Sequence, residues 1–169
     1  NHSADDSLKV LNSLDMKCTV VELAQRHKLP QAVMAGIDAA IGDYVFEIED
    51  LSVEIDFSLL VDMYETCQQG NDFVFLTPGN SSAMSRLFYR LLNGRLRYPA
   101  GQEVTSSVCI LSSRRAQNKV AAMGDYIVNR NVAYASAGLD CAYLKTDMIY
   151  RNRRGILTNI GLMLDTFIY

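Results

Sequence analysis

Tryptophan is absent from the 169 residues, histidine occurs twice and proline three times. The scarcity of histidine narrows the chemistry first. His2 lies in the opening residues, so His27 is the remaining imidazole for a positioned base, and no GxSxG, HExxH or Cys–His signature pairs it with a nucleophile. No catalytic residue is assigned, and an enzyme is not expected. His27, beside Lys28, reads as a cation at a helix C-terminus. Paired carboxylates, which need not be close in the chain, are the one chemistry left open.

Cysteine is sparse and badly spaced for metals. Cys18, Cys67, Cys109 and Cys141 contain no CxxC pair, which excludes a zinc ribbon or a redox dithiol; they read as reduced structural thiols, Cys67 and Cys109 as buried small hydrophobes. Glycine-rich phosphate fingerprints are missing too: there is neither GxxxxGK[ST] nor GxGxxG. The acidic run Glu47, Glu49, Asp50, Glu54 and Asp56 lacks the glycine and closing Glu of a calcium loop, so it reads as a solvated strand face. No metal and no cofactor is assigned.

Long hydrophobic runs are also missing. Gly155 to Tyr169, the longest apolar stretch, is interrupted by Thr158, Asn159 and Asp165 and is too short to span a bilayer. Asn1 to Asp6 are polar and acidic with no apolar h-region behind them. The expectation is a cytoplasmic protein without a membrane span. A first residue other than Met and a stop in mid-pattern at Phe167, Ile168 and Tyr169 suggest a piece of a longer protein.

Of the residues present, 49% are hydrophobic and 21% charged, enough for one packed core. Residues 1–169 are expected to form a single domain. The sub-division kept open is a helical, winged-helix-like part over 1–57 and a helical part over 58–169. Leu8, Leu11 and Leu14 mark a first helix; Thr19 with Glu22 is a capping box for a second, through His27; Pro30 to Gly42 makes a third. Leu51, Val53, Ile55 and Phe57 alternate as a strand, with Tyr44 to Ile48 as hairpin partner. A helix over Leu59 to Cys67 ends at Gly70, and Phe73 to Leu76 reads as a buried strand. The loop TPGNSS (77–82) opens a helix carrying Met84, Leu87, Phe88 and Leu91, closed by Asn93 and Gly94. Glu103 to Leu111 fits strand or helix. Ser112 or Ser113 caps a helix through Ala116, Val120, Met123 and Ile127; Val132, Ala135, Leu139 and Tyr143 suggest another, and Ile156, Ile160, Met163 and Phe167 a last one. The fold class expected is mostly α (α+β), a compact helical domain with a small β-hairpin or minor sheet.

Charge is unevenly placed. Residues 1–85 hold 14 acidic and 4 basic side chains, whereas residues 86–169 hold 5 acidic and 12 basic, ten of them Arg. The guanidinium fork suits bidentate contact with carboxylate or phosphate. Arg86 and Arg90 share a helix face at i, i+4, with Arg95 and Arg97 beyond. The candidate anion- or partner-binding set is Ser81, Ser82, Arg86, Arg90, Arg95, Arg97, Arg114, Arg115, Arg151, Arg153 and Arg154. Tyr89, Tyr98, Tyr126, Tyr134, Tyr143 and Tyr150 share that half, and Tyr with Arg favours interface centres. Thr19 to Gly42 has helix–turn–helix proportions, but its second helix offers Gln31, Ala32, Ala35, Asp38 and Ala39, almost without positive charge, which argues against DNA.

The functional expectation is a non-enzymatic protein-interaction, regulatory or adaptor domain using charge-polarised surfaces, its partner another protein or a second copy of itself. The alternative is an anion-binding module for nucleotide or nucleic acid, built on TPGNSS and the Arg-rich half. The basic half pairing with the acidic half inside one molecule competes with both.

Overall fold

The computed structural model describes residues 6–48, 55–95, 102–124 and 129–147. The chain divides into two units, Asn1–Ile41 and Gly42–Tyr169.

The first unit holds α1 (Ser7–Ser13) and α2 (Leu29–Ala39). In α2, Pro30 stands in the first turn, where its missing N–H is no loss, and Ile37 is the buried side chain. The helix expected over Thr19–His27 is not formed: 14–28 carries no regular element. A capping box satisfies two donors, but a turn or two of helix needs a buried apolar face to repay nucleation. Val20 and Val21 stay exposed. Without that helix there is no helix–turn–helix, and His27 is not a C-terminal helix cation.

The second unit is built on a four-stranded mixed sheet of order β1-β3-β2-β4: β1 (Tyr44–Ile48), β2 (Phe73–Pro78), β3 (Cys109–Ser113) and β4 (Cys141–Thr146). β3 runs antiparallel to β1 and to β2, and β4 runs parallel to β2. With six helices and this sheet among the described residues, the fold is α+β, not a helical domain with a minor sheet. Two misread segments explain the difference. Tyr44–Ile48 pairs with β3, 60-odd residues away, while Ile55 and Asp56 lie outside any strand and Phe57 begins α3 (Phe57–Gln68). Leu51 and Val53, the rest of the expected strand, lie outside the described residues. Leu139 and Tyr143, assigned to a helix, belong instead to a break and to β4, because Gly138 at φ +64° ends the helical path.

The sheet is covered on both faces. Met63 and Cys67 of α3 pack with Val74, Leu76, Cys109 and Leu111 on one face. On the other, Ala116 and Val120 of α5 (Arg114–Ala122) and Tyr134 of α6 (Arg130–Ser136) pack with Phe73, Phe75 and Ile110. Alternation along the strands assigns the faces, since β2 and β3 send successive side chains to opposite sides. α4 (Ala83–Arg95) lies on the α6 side, burying Phe88 and Leu92 against Val104 and Ala135.

Caps and side-chain clamps set the ends of these helices. Asp56 accepts from the Ser58 N–H at 3.0 Å to start α3, and Ser113 Oγ accepts from the Ala116 N–H at 3.1 Å to start α5. The expected stop of α4 at Asn93 and Gly94 does not occur, as the helix runs to Arg95. Asn93 is used otherwise: its Oδ1 accepts from the Val104 N–H (2.9 Å) and its Nδ2 donates to the Val104 carbonyl (3.0 Å). One amide side chain thus stands in for a strand partner and fixes the returning chain to α4. The final helix expected over 156–167 lies outside the described residues.

Candidate functional site

The loop 77–82 leaves the C-terminal end of β2 and is pinned to β4. The Gly79 N–H donates to the Thr146 carbonyl at 2.7 Å, and Thr77 Oγ1 donates to the Leu144 carbonyl at 2.9 Å. A Cβ at position 79 would lie 3.0 Å from the Thr146 oxygen, so glycine is what lets the two chains approach. The candidate anion donors of this loop are turned onto its own backbone. Ser82 Oγ accepts from the Ser85 N–H at 3.1 Å, making Ser82 the cap of α4, and Arg86 Nη1 donates to the Ser81 carbonyl at 2.9 Å. That is the geometry of a capped turn.

The other candidates separate into groups. Arg114 donates through Nε and Nη2 to the Gly42 carbonyl at 3.0 and 2.8 Å, while its own N–H donates to the Asp43 carbonyl, which ties the start of α5 to the residues before β1. Arg115 makes a fork on buried Asp72, Nε to Oδ1 at 3.1 Å and Nη2 to Oδ2 at 2.5 Å, and Ser113 Oγ adds a third donor at 2.9 Å. These two arginines tie the start of α5 to the chain entering β1 and to the chain entering β2. Arg97, Arg151, Arg153 and Arg154 lie outside the described residues. Arg86, Arg90 and Arg95 share α4 and are all exposed.

On α4 those arginines have apolar company. Met84 (63% exposed), Leu87 (52%) and Leu91 (56%) recur at i, i+3 and i+7 on the flank next to buried Phe88 and Leu92. No acidic residue occurs within the helix. The result is an outward apolar stripe beside a guanidinium row.

Sequence reasoning missed a buried polar cluster under α5 and α6. Glu47, placed on a solvated strand face, is buried; its Oε2 lies 3.0 Å from Arg130 Nε, the two side chains being 1% and 3% exposed. Glu47 Oε1 accepts from the Tyr134 hydroxyl and from Gln117 Nε2 (3.0 Å), and Gln117 Nε2 also reaches Ser112 Oγ at 2.7 Å. Burial, then the Glu47 charge, pushes the Tyr134 phenol far up from its ordinary value, so it stays a donor. The alternation of β1 held part of the signal, since Glu47 shares a face with Val45; the register then sets it opposite Ile110, on the face that carries Phe73 and Phe75. A carboxylate so enclosed and compensated pins β1 to α5 and α6; it offers no open surface to a substrate.

Two ion pairs, Glu47 with Arg130 and Asp72 with Arg115, join the acidic half of the sequence to the basic half within one molecule, while Lys9 with Asp6 lies within the acidic half. Part of the charge asymmetry is therefore internal. Tyr134 and Tyr143 are likewise packing residues, stacked on Phe73 at 4.5 Å and on Phe75 at 5.2 Å, and Tyr89 meets Phe88 edge-on. Tyr98, Tyr126 and Tyr150 lie outside the described residues.

Among the described residues no group of three or more His, Cys, Asp or Glu is placed to hold a metal ion, and no helix is long and apolar enough to cross a membrane. A scan against protein-family models finds no match, and a search of the curated proteins finds none either.

Proposed function

We propose that the chain is a non-enzymatic protein-interaction domain whose docking surface is the outward face of α4. The observation that carries this reading is the exposed stripe Met84, Leu87 and Leu91 running beside Arg86 and Arg90. Apolar side chains in a contiguous row mark an interaction site, and arginine is the cation that interfaces favour. The partner it suits is apolar and acidic. Cys67 and Cys109 are buried free thiols and Cys18 is an exposed one, which agrees with action in a reducing compartment such as the cytoplasm.

The anion-binding reading is not favoured, because the Ser82 hydroxyl caps α4 and the loop is closed onto β4 through Thr77 and Gly79. Capture from cell extract tests the proposal, comparing the unaltered chain with Leu87→Glu/Leu91→Glu, with and without nuclease. Nuclease-resistant partners retained by the unaltered chain and lost by the variant are expected. Equal capture by both, or capture that nuclease abolishes, would contradict it.

A further inference from the structure

We propose that the α4 surface docks on α3 of a second copy of the same chain, giving head-to-tail self-association. This rests on the reading of α4 as a docking surface and names its partner. α3 has the complementary surface: Phe57 (77% exposed), Val61 and Tyr64 recur at i, i+4 and i+7 on the flank next to buried Met63 and Cys67, with Tyr64 edge-on to Tyr44. Exposed Asp62 and Glu65 lie beside that row, and α3 contains no basic residue. One helix therefore presents an apolar row with carboxylates, the other an apolar row with guanidiniums. α3 covers one face of the sheet, whereas α4 packs with α6 on the opposite side. The two rows cannot meet within one molecule, because the sheet stands between them.

Because the two surfaces differ, the contact is heterologous. Each copy keeps a free α3 at one end and a free α4 at the other, so the assembly grows until it closes into a ring or extends as a chain. Two short helices make a small interface, so assembly is expected to depend on concentration.

Size-exclusion chromatography with light scattering, over a hundredfold range of concentration, tests this. The mass should rise past that of a dimer. Arg86→Glu/Arg90→Glu and Asp62→Lys/Glu65→Lys should each weaken association at least tenfold, and an equimolar mixture of the two variants should recover it, since each then carries the charge the other needs. Circular dichroism of both variants checks that these exposed positions leave the fold intact. A monomer at all concentrations, a mass that stops at two, or a mixture that fails to associate overturns the proposal. A synthetic acidic amphipathic helix of Glu and Leu separates the failures: if the chain is monomeric yet binds this probe through Leu87 and Leu91, self-docking is wrong and the α4 docking surface stands. If it binds neither, both fall.

Discussion

Removing one member of the Glu47 cluster and removing the ion pair as a unit should have different consequences. Arg130→Met leaves a carboxylate buried without its cation and should cost about 3–5 kcal/mol in denaturant unfolding, whereas Glu47→Leu with Arg130→Met should recover much of that loss. Tyr134→Phe keeps the stacked ring and removes one donor to Glu47, for about 1–3 kcal/mol. Equal losses for the single and double replacements would show that the charges are not coupled. The thiols give a second residue-scale outcome. Burial, aided by the Glu47 charge at Cys109 and the Asp140 charge at Cys141, pushes both from 9.0 up to about 12. The folded chain therefore holds protons that the unfolded chain releases between those values, so these thiols contribute stability that is present below pH 9 and is lost as pH rises toward 12. Thermal melting from pH 8 to 11 should show the decline, and Cys109→Ala should flatten it; an unchanged slope would contradict the assignment.

At the scale of elements, the sheet and its loops predict where substitutions bite. Met63→Ala empties a fully buried site between α3 and the sheet and should cost about 2–5 kcal/mol by chemical denaturation. Gly79→Ala places a methyl 3.0 Å from the Thr146 carbonyl and should lower the melting temperature by parting β4 from the loop; a melting temperature that holds would mean the loop gives way cheaply. The same elements explain what could be read beforehand. α3 was legible because Leu59, Leu60, Met63 and Cys67 keep a helical period up to Gly70, and α5 because Ser113 is a cap followed by Ala116 and Val120. β4 was not, because Cys141 to Leu144 is an apolar run without alternation, as strands covered on both faces are, and Val132, Ala135, Leu139 and Tyr143 imitate a helical period across the turn at Gly138. β1 was visible as a strand but not in its pairing, since a partner on β3 is set by tertiary register and not by the nearest turn. On the candidate surface, Arg86 and Arg90 were correctly placed on one helix face; that Arg114 and Arg115 serve the backbone and Asp72 depends on contacts more than 40 positions away.

At the scale of the whole molecule, charge separation in the sequence becomes two different things in space. Glu47 with Arg130 and Asp72 with Arg115 consume part of it internally. Among the described residues, exposed helix faces carry another part outward: carboxylates beside an apolar row on α3, guanidiniums beside one on α4. Because the rim pairs are solvent-exposed, raising salt from 0.05 to 1 M should weaken association only a few-fold while the apolar rows hold. The most direct measurement of the docking claim is hydrogen–deuterium exchange of the chain at low and high concentration. The account predicts slower exchange in Ala83–Arg95 and Phe57–Gln68 as copies associate, with α5 unchanged. Association that leaves exchange in both helices unaltered would contradict it.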